Sequence, residues 1–257
     1  MPKDTHRHQS PSTGSTWPLG NKKKSNSLNT DRLKPNAIQT TVSKASIVDK
    51  PNAPVPVRTV AHIEGNWATY IYIPIELQED LQAELKDWIK QATTQFPSWH
   101  SHIQLDSNDS LGLHVSLCQT AYLKVFQIDR FMALLEQQIG LQSRFTVSFN
   151  GVSSYVNDEQ TRSFVGMDIG HGHEELLELV QCVDLALTAF HQPPFYKNPR
   201  FHASIVWSPT TRASSFDNPI ESIPDSLRDI PKKLHNTLFL VRSVVCKSGN
   251  KLKQFDL

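Results

Sequence analysis

Two short stretches decide how this chain is read: Leu113-His114-Val115-Ser116-Leu117 and Phe201-His202-Ala203-Ser204-Ile205. Each runs apolar, His, apolar, Ser, apolar, and they lie 88 residues apart. In a strand, successive side chains point to opposite faces, so His and Ser at i and i+2 share one face while their neighbours enter a core. A single strand histidine usually reads as a hydrogen-bonded core residue. Two matching copies, at comparable places in a repeated plan, read instead as two imidazoles and two hydroxyls brought to one cleft.

The surrounding sequence supports a repeated plan. Residues 67–75 (WATYIYIPI) alternate and are rich in β-branched and aromatic residues, which predicts a strand stopped by Pro74. Leu77, Leu81, Leu85, Trp88, Ile89 and Ala92 recur at helical spacing and predict a helix over 76–95. An apolar run at 111–118 precedes a second helix, 125–139, closed by Gly140. Residues 144–150, with Phe145, Val147 and Phe149 on one face, pair with 162–169 across a turn near Asn157. A third helix follows at 174–191, then strands at 201–207 and 238–246, and a Ser248-Gly249-Asn250 turn into a last strand ending at Leu257. Helices alternating with strands in both halves predict an α/β body of two similar lobes.

Composition bounds the function. The chain has 257 residues and 38% hydrophobic content, enough for a folded core. No stretch approaches the roughly 20 apolar residues of a membrane helix, and the N-terminal residues lack the pattern of a secretory or transit signal, so no membrane partner and a cytosolic or nuclear setting are expected. Cys118, Cys182 and Cys246 are odd in number and far apart, which suits core residues rather than disulfides or zinc ligands. Residues 1–54 hold nine Lys/Arg against three Asp/Glu, leaving the rest of the chain mildly acidic with 17 against 22. That first segment, with Lys22, Lys23 and Lys24, reads as a disordered basic tail; residues 55–257, with order beginning near Val57, read as one catalytic domain. With no general basic surface, nucleic-acid affinity has to come from a local site.

The chemistry of the duplicated motif is proton transfer. A histidine near its reference pKa of about 6.5 can hold or release a proton at neutral pH, so one ring can act as base while the other acts as acid. The two hydroxyls can donate to non-bridging phosphate oxygens whose charge grows during reaction. No carboxylate cluster suited to magnesium accompanies the histidines, and no nucleophile elbow surrounds the serines. His100 with His102, and His171 with His173, lack further ligands at metal spacing and read as solvated loop residues. His191 reads as a helix-end residue, and Trp67, Trp88, Trp99 and Trp207 as core.

At these residues the chain resembles the two-histidine (2H) phosphoesterase superfamily, and within it the U6 small nuclear RNA phosphodiesterase family. The likeness rests on His114-Val115-Ser116 and His202-Ala203-Ser204, on Gly65-Asn66-Trp67-Ala68-Thr69, and on Phe195-Tyr196-Lys197-Asn198-Pro199-Arg200-Phe201. It spans about residues 60–257. The resemblance implies a fold of two pseudo-symmetric lobes, each an antiparallel sheet with helices packed outside, with the active-site cleft between them. It implies a monomeric, nuclear, metal-independent 3′-to-5′ exoribonuclease without cofactor that trims the uridine-rich 3′ end of U6 RNA. The 2′-hydroxyl of the penultimate nucleotide would attack the last phosphate and leave a 2′,3′-cyclic phosphate, which some members open further. By position His202 would be the base and His114 the acid, Ser116 and Ser204 would hold the phosphate, and Tyr196 would stack on the terminal base. Lys197 and Arg200 flank the second motif, where they read either as phosphate contacts or as solvated loop residues. Two other readings stay open: a phosphodiesterase acting on 2′,3′-cyclic or 2′,5′-linked ends, and an RNA-binding module without catalysis.

Overall fold

The computed structural model describes residues 64–103, 112–209, 223, 225–228, 230–235 and 237–257. The expected tail, its lysine run and the expected start of order near Val57 lie outside the described residues.

The first strand, β1 (Asn66–Pro74), alternates as its sequence predicts: Ile71 and Ile73 are fully buried while Tyr70 and Tyr72 turn to the other face. Helix α1 (Glu79–Gln95) starts after Gln78, three residues later than its apolar spacing suggests, and buries Leu81, Leu85, Trp88, Ile89 and Ala92 along one stripe. Two short strands follow, β2 (His100–Ser101) and β3 (His114–Ser116), and then β4 (Ala121–Lys124) leads directly into α2 (Val125–Ile139). Strands this short show no readable period, and β2 and β4 have no counterpart in the sequence-based expectation. Helix α2 has the predicted bounds, and Gly140 caps it in the right-handed conformation, φ −62°.

The alternating segment after α2 divides. Phe145–Val147 forms β5, and Phe149–Val156 forms β6, which makes a hairpin with β7 (Arg162–Ile169). Asn157 closes that hairpin: its side-chain oxygen accepts from the backbone N–H of Thr161 and Arg162 at 2.9 and 2.8 Å. Helix α3 (His173–Ala189) precedes β8 (His202–Pro209), and two single-turn helices follow, α4 (Asp225–Arg228) and α5 (Lys232–His235). The expected strand at 238–246 also divides, into β9 (Phe239–Val241) and β10 (Ser243–Ser248), before β11 (Lys251–Asp256). The break in each case lets β5 and β9 pair with one another, apart from the main sheet. Gly249 makes the β10–β11 turn with φ +56°, and a side chain there would strike Trp67, whose ring lies 2.1 Å from the position a Cβ would take.

The main sheet runs β11-β10-β1-β3-β8-β7-β6, with β4 added beside β1 and β2 beside β8. All of the pairings are antiparallel. The two expected lobes are thus the β1 side and the β7 side of a sheet that meets at β3 and β8. One core joins the sheet residues Ile71, Ile73, Val115, Val165, Met167, Ala203 and Ile205 to the buried stripes of all three long helices. Burying a valine or leucine fully is worth roughly 1.5 to 3 kcal/mol, so this back face sets the strand register firmly. A one-residue slip would bury the histidines.

Cys118 and Cys246 are buried as expected, whereas Cys182 is half-buried on α3 and accepts from the Gln142 amide. Trp88 and Trp99 are buried in the core, but Trp67 is exposed over Gly249 and Trp207 is half-buried on the open face.

Candidate active site

The site forms because the two motif strands pair with one another. Val115 lies across from Ala203 in the β3–β8 ladder. Antiparallel register then sets His114 across from Ser204 and Ser116 across from His202. Val115 and Ala203 are fully buried, so the four polar residues occupy the opposite, open face. His114, His202 and Ser204 are half-buried there and Ser116 is exposed.

The two rings are held alike. Nδ1 of His114 lies 2.9 Å from the carbonyl oxygen of Gly112, and Nδ1 of His202 lies 2.8 Å from that of Arg200. A carbonyl only accepts, so each Nδ1 carries the proton and each neutral ring presents Nε2 as a bare acceptor. Both tautomers are therefore set by the backbone two residues upstream. Neither serine hydroxyl has a hydrogen-bond partner among the described residues, which leaves both able to donate to a ligand.

Around His202 the site is elaborated. Asp168 lies across from it on β7, and the Tyr155 ring from β6 lies flat against its imidazole, with centroids 3.5 Å apart and planes at 15°. The Tyr155 and Ser153 hydroxyls both donate to Asp168. The Arg200 guanidinium sits 3.9 Å from Asp168 and 4.6 Å from the Tyr155 centroid. Burial lowers the His202 pKa from its ordinary value, with Arg200 and His114 adding to the effect and the Arg200 carbonyl and Asp168 opposing it. Burial and the bond to Asp168 push the Tyr155 phenol up, so it remains a donor. Around His114 there is less: Tyr72 lies 4.9 Å away at 53°.

A third imidazole reaches the same face. The His102 N–H donates to the Ile205 carbonyl at 2.9 Å, extending the β2–β8 pairing, and its ring lies 6.1 Å from His114 and edge-on to Phe164 at 5.7 Å. His102 is exposed as a residue, but desolvation by the neighbouring protein, with the charges of His114, Arg162 and His202, lowers its pKa to about 4. The solvated-loop expectation for the first histidine pair is thus corrected. His100 is half-buried against Trp207 at 5.0 Å, and His102 belongs to the cleft. Local sequence held little sign of this, because the pairing that places them joins segments a hundred residues apart. His171 and His173 are exposed, as expected.

Tyr196 is 45% exposed, and its hydroxyl donates to Asp158 at 2.8 Å; partial burial first, and then this bond, push its pKa up to about 12. Its ring is tilted at 54° to that of Phe195, with centroids 5.0 Å apart. Lys197 is exposed beside it. Tyr155, Asp168, Ser153 and Gly166 were absent from the expected site. Gly166 was their available signal, since a glycine inside a strand marks a close approach.

An antiparallel sheet carrying two His-x-Ser strands side by side, backed by helices, defines a two-histidine phosphoesterase. The family model described as HVSL, an uncharacterised conserved protein, matches residues 35–256; those four letters stand here as His114-Val115-Ser116-Leu117. U6 snRNA phosphodiesterase 1 of Mus musculus is 33% identical over 205 residues, 78% of this chain and 73% of that protein. Its counterpart in Homo sapiens is 32% identical over the same shares. The chain belongs to the family of these U6 snRNA phosphodiesterases. Among solved structures, Kluyveromyces marxianus Usb1 aligns with a TM-score of 0.53 at 15% identity, over 74% of this chain and 98% of that one. The same protein with uridine monophosphate aligns equally well. These two share the fold.

Proposed function

We propose that the protein is a metal-independent RNA phosphodiesterase that trims the uridine-rich 3′ end of U6 snRNA, working as a monomer in the nucleus. The observation that supports this most is the β3–β8 pairing, which sets two imidazoles and two hydroxyls on one face in twofold arrangement. The relatives are phosphodiesterases named for U6 snRNA, and uridine monophosphate accompanies a protein of the same fold.

The chemistry uses the Nε2 atom of each ring. Nε2 of His202 takes the proton from the 2′-hydroxyl of the penultimate nucleotide, whose oxygen attacks the last phosphorus. His114, protonated at Nε2, gives its proton to the departing 5′-oxygen as the P–O5′ bond breaks. The products are a free nucleoside and an RNA ending in a 2′,3′-cyclic phosphate. With the roles reversed, water can open that ring by breaking the P–O2′ bond, leaving a 3′-phosphate. Ser116 and Ser204 donate to the non-bridging oxygens as charge builds there. The exposed Tyr196 ring stacks on the terminal base, and base stacking is worth about 1 to 3 kcal/mol.

End-group analysis on a uridine-tailed RNA tests this. Stepwise shortening with a cyclic phosphate at the new end is expected, with no effect of chelator and with resistance when the penultimate sugar is 2′-deoxy. Intact RNA alongside hydrolysis of a 2′,3′-cyclic or 2′,5′-linked nucleotide would replace the substrate assigned here.

A further inference from the structure

We infer that Tyr155, tied to Asp168, is a positioning residue for His202 that breaks the twofold equivalence of the two histidines and makes the second motif the proton-accepting one. This rests on the catalytic reading of the two motifs given above.

A single bond from Nδ1 to the Arg200 carbonyl fixes one edge of the His202 ring but leaves its plane free to rock. Tyr155 closes one face, with ring centroids 3.5 Å apart and nearly parallel planes. To do so it leans from β6 across the whole of β7. Gly166 on β7 makes the reach possible: a Cβ there would lie 2.9 Å from Cδ2 of His202, 3.2 Å from the Ala203 carbonyl oxygen and 3.3 Å from Cε2 of Tyr155. The tyrosine is itself fixed, because its hydroxyl donates to Asp168, which Ser153 also donates to and which Arg200 faces at 3.9 Å. Arg200 then closes the circuit, since its own carbonyl holds His202. Among the described residues the first motif has no such circuit. Where β7 presents Gly166 and Asp168 to β8, β1 presents Tyr72 and Pro74 to β3, and Tyr72 meets His114 at a tilt.

The electrostatic consequence favours the neutral ring. The charged and titratable groups facing His202 are Asp168 and Tyr155 from the β6–β7 hairpin, Arg200 from the segment before β8, His114 from β3 and His102 from the end of β2. Asp168 would hold a proton on His202, but two hydroxyl donors and a guanidinium already share its charge. Burial, to which the stacked tyrosine contributes, dominates and favours the neutral ring, which keeps only its Nδ1 proton. A neutral imidazole held with Nε2 outward is the form a general base needs.

Histidine NMR titration of the full chain, together with the pH profile of RNA cleavage, tests the role in the variants Y155L and Y155F. Y155L is expected to lower kcat by about tenfold to a hundredfold, as a misplaced reacting group does, with KM little changed. Its His202 midpoint should move up toward the ordinary histidine value, carrying the acid limb of kcat/KM with it. Y155F keeps the ring against His202 and should keep most of the turnover. Wild-type kcat and His202 midpoint in Y155L overturn the inference, and so does a loss confined to KM, which would make Tyr155 a substrate contact. Should Y155L fail to fold, the wild-type protein still decides: a His202 midpoint at or above the ordinary value overturns the role. An inactive wild-type protein would remove the functional reading above, whereas the His202 titration would still judge Tyr155.

Discussion

Val115 lies directly across from Ala203, and through this one buried pair the two halves of the chain share one open face. An approximate twofold axis between them relates His114 to His202 and Ser116 to Ser204. Because the axis passes between two buried residues, hydrophobic burial on one face is what aligns the polar groups on the other.

If both rings transfer protons, removing either must cost a similar factor. H114A and H202A are each expected to lower the cleavage rate on 3′-oligouridine RNA by about 10² to 10⁴, the usual contribution of a positioned acid or base. Both rings are half-buried on the open face, so neither change should disturb folding. Single-turnover rates beside thermal melts check both statements; near-normal turnover in both variants would end the mechanism.

The motif strands were legible because His-x-Ser between apolar residues is a two-residue period, and the bounds of α2 were legible because Ile128, Phe131, Met132, Leu135 and Ile139 recur at helical spacing. What escaped was set by pairing between distant segments. His102 enters the cleft only through the β2–β8 ladder, and Tyr155 and Asp168 only through the registers of β6, β7 and β8. Nothing adjacent to Tyr155 in sequence distinguishes it from any other strand tyrosine. The division of 144–150 and of 238–246 likewise answers to the β5–β9 pairing, which no local pattern announces.

The serines offer a sharper test of symmetry than the histidines. Each hydroxyl lacks a partner among the described residues and faces the opposite motif's histidine across the strand pair. S116A and S204A should each lower kcat by about 10² to 10³, the cost of losing one donor to developing oxyanion charge, while leaving the pH profile in place. A shifted profile in either would mean that the serine tunes a histidine rather than the phosphate.

The depressed histidines set the acid behaviour. His102 is lowered to about 4 and His202 is lowered as well. For both, the folded chain binds fewer protons than the unfolded chain just below the ordinary value of about 6.5. Stability therefore falls as pH drops through that window, for His102 from about 6.5 down to about 4. The acid limb of kcat/KM should lie below the ordinary histidine value, since the base stays unprotonated further into acid. Urea midpoints at pH 7 and 4.5 for the wild type and H102Q check the first point: the variant should lose less stability on acidification. An equal loss would place the acid sensitivity elsewhere.

Tyr196 separates stacking from hydrogen bonding. Its ring is 45% exposed while its hydroxyl is engaged with Asp158. Y196A should weaken RNA binding by about 1 to 3 kcal/mol, read as a raised KM, whereas Y196F, which keeps the π face, should bind nearly as the wild type does. Equal loss in both would assign Tyr196 to loop structure through Asp158.

Gly166 carries the tightest constraint near the site. A methyl group there meets Cδ2 of His202 at 2.9 Å on one side and the Ala203 carbonyl oxygen at 3.2 Å on another. The first neighbour can swing away, but the second is backbone in the centre of a sheet and cannot. G166A should therefore destabilise the fold by about 1 to 3 kcal/mol, the range for overpacking a close-packed interior. It should also push the His202 ring off Tyr155, so that activity falls even in the molecules that remain folded. Urea denaturation gives the first quantity, and single-turnover cleavage at low temperature, where the variant is fully folded, gives the second. A G166A protein with wild-type stability would mean that β7 and β8 lie farther apart at this point than their register implies, and the Tyr155 contact across them would have to be redrawn.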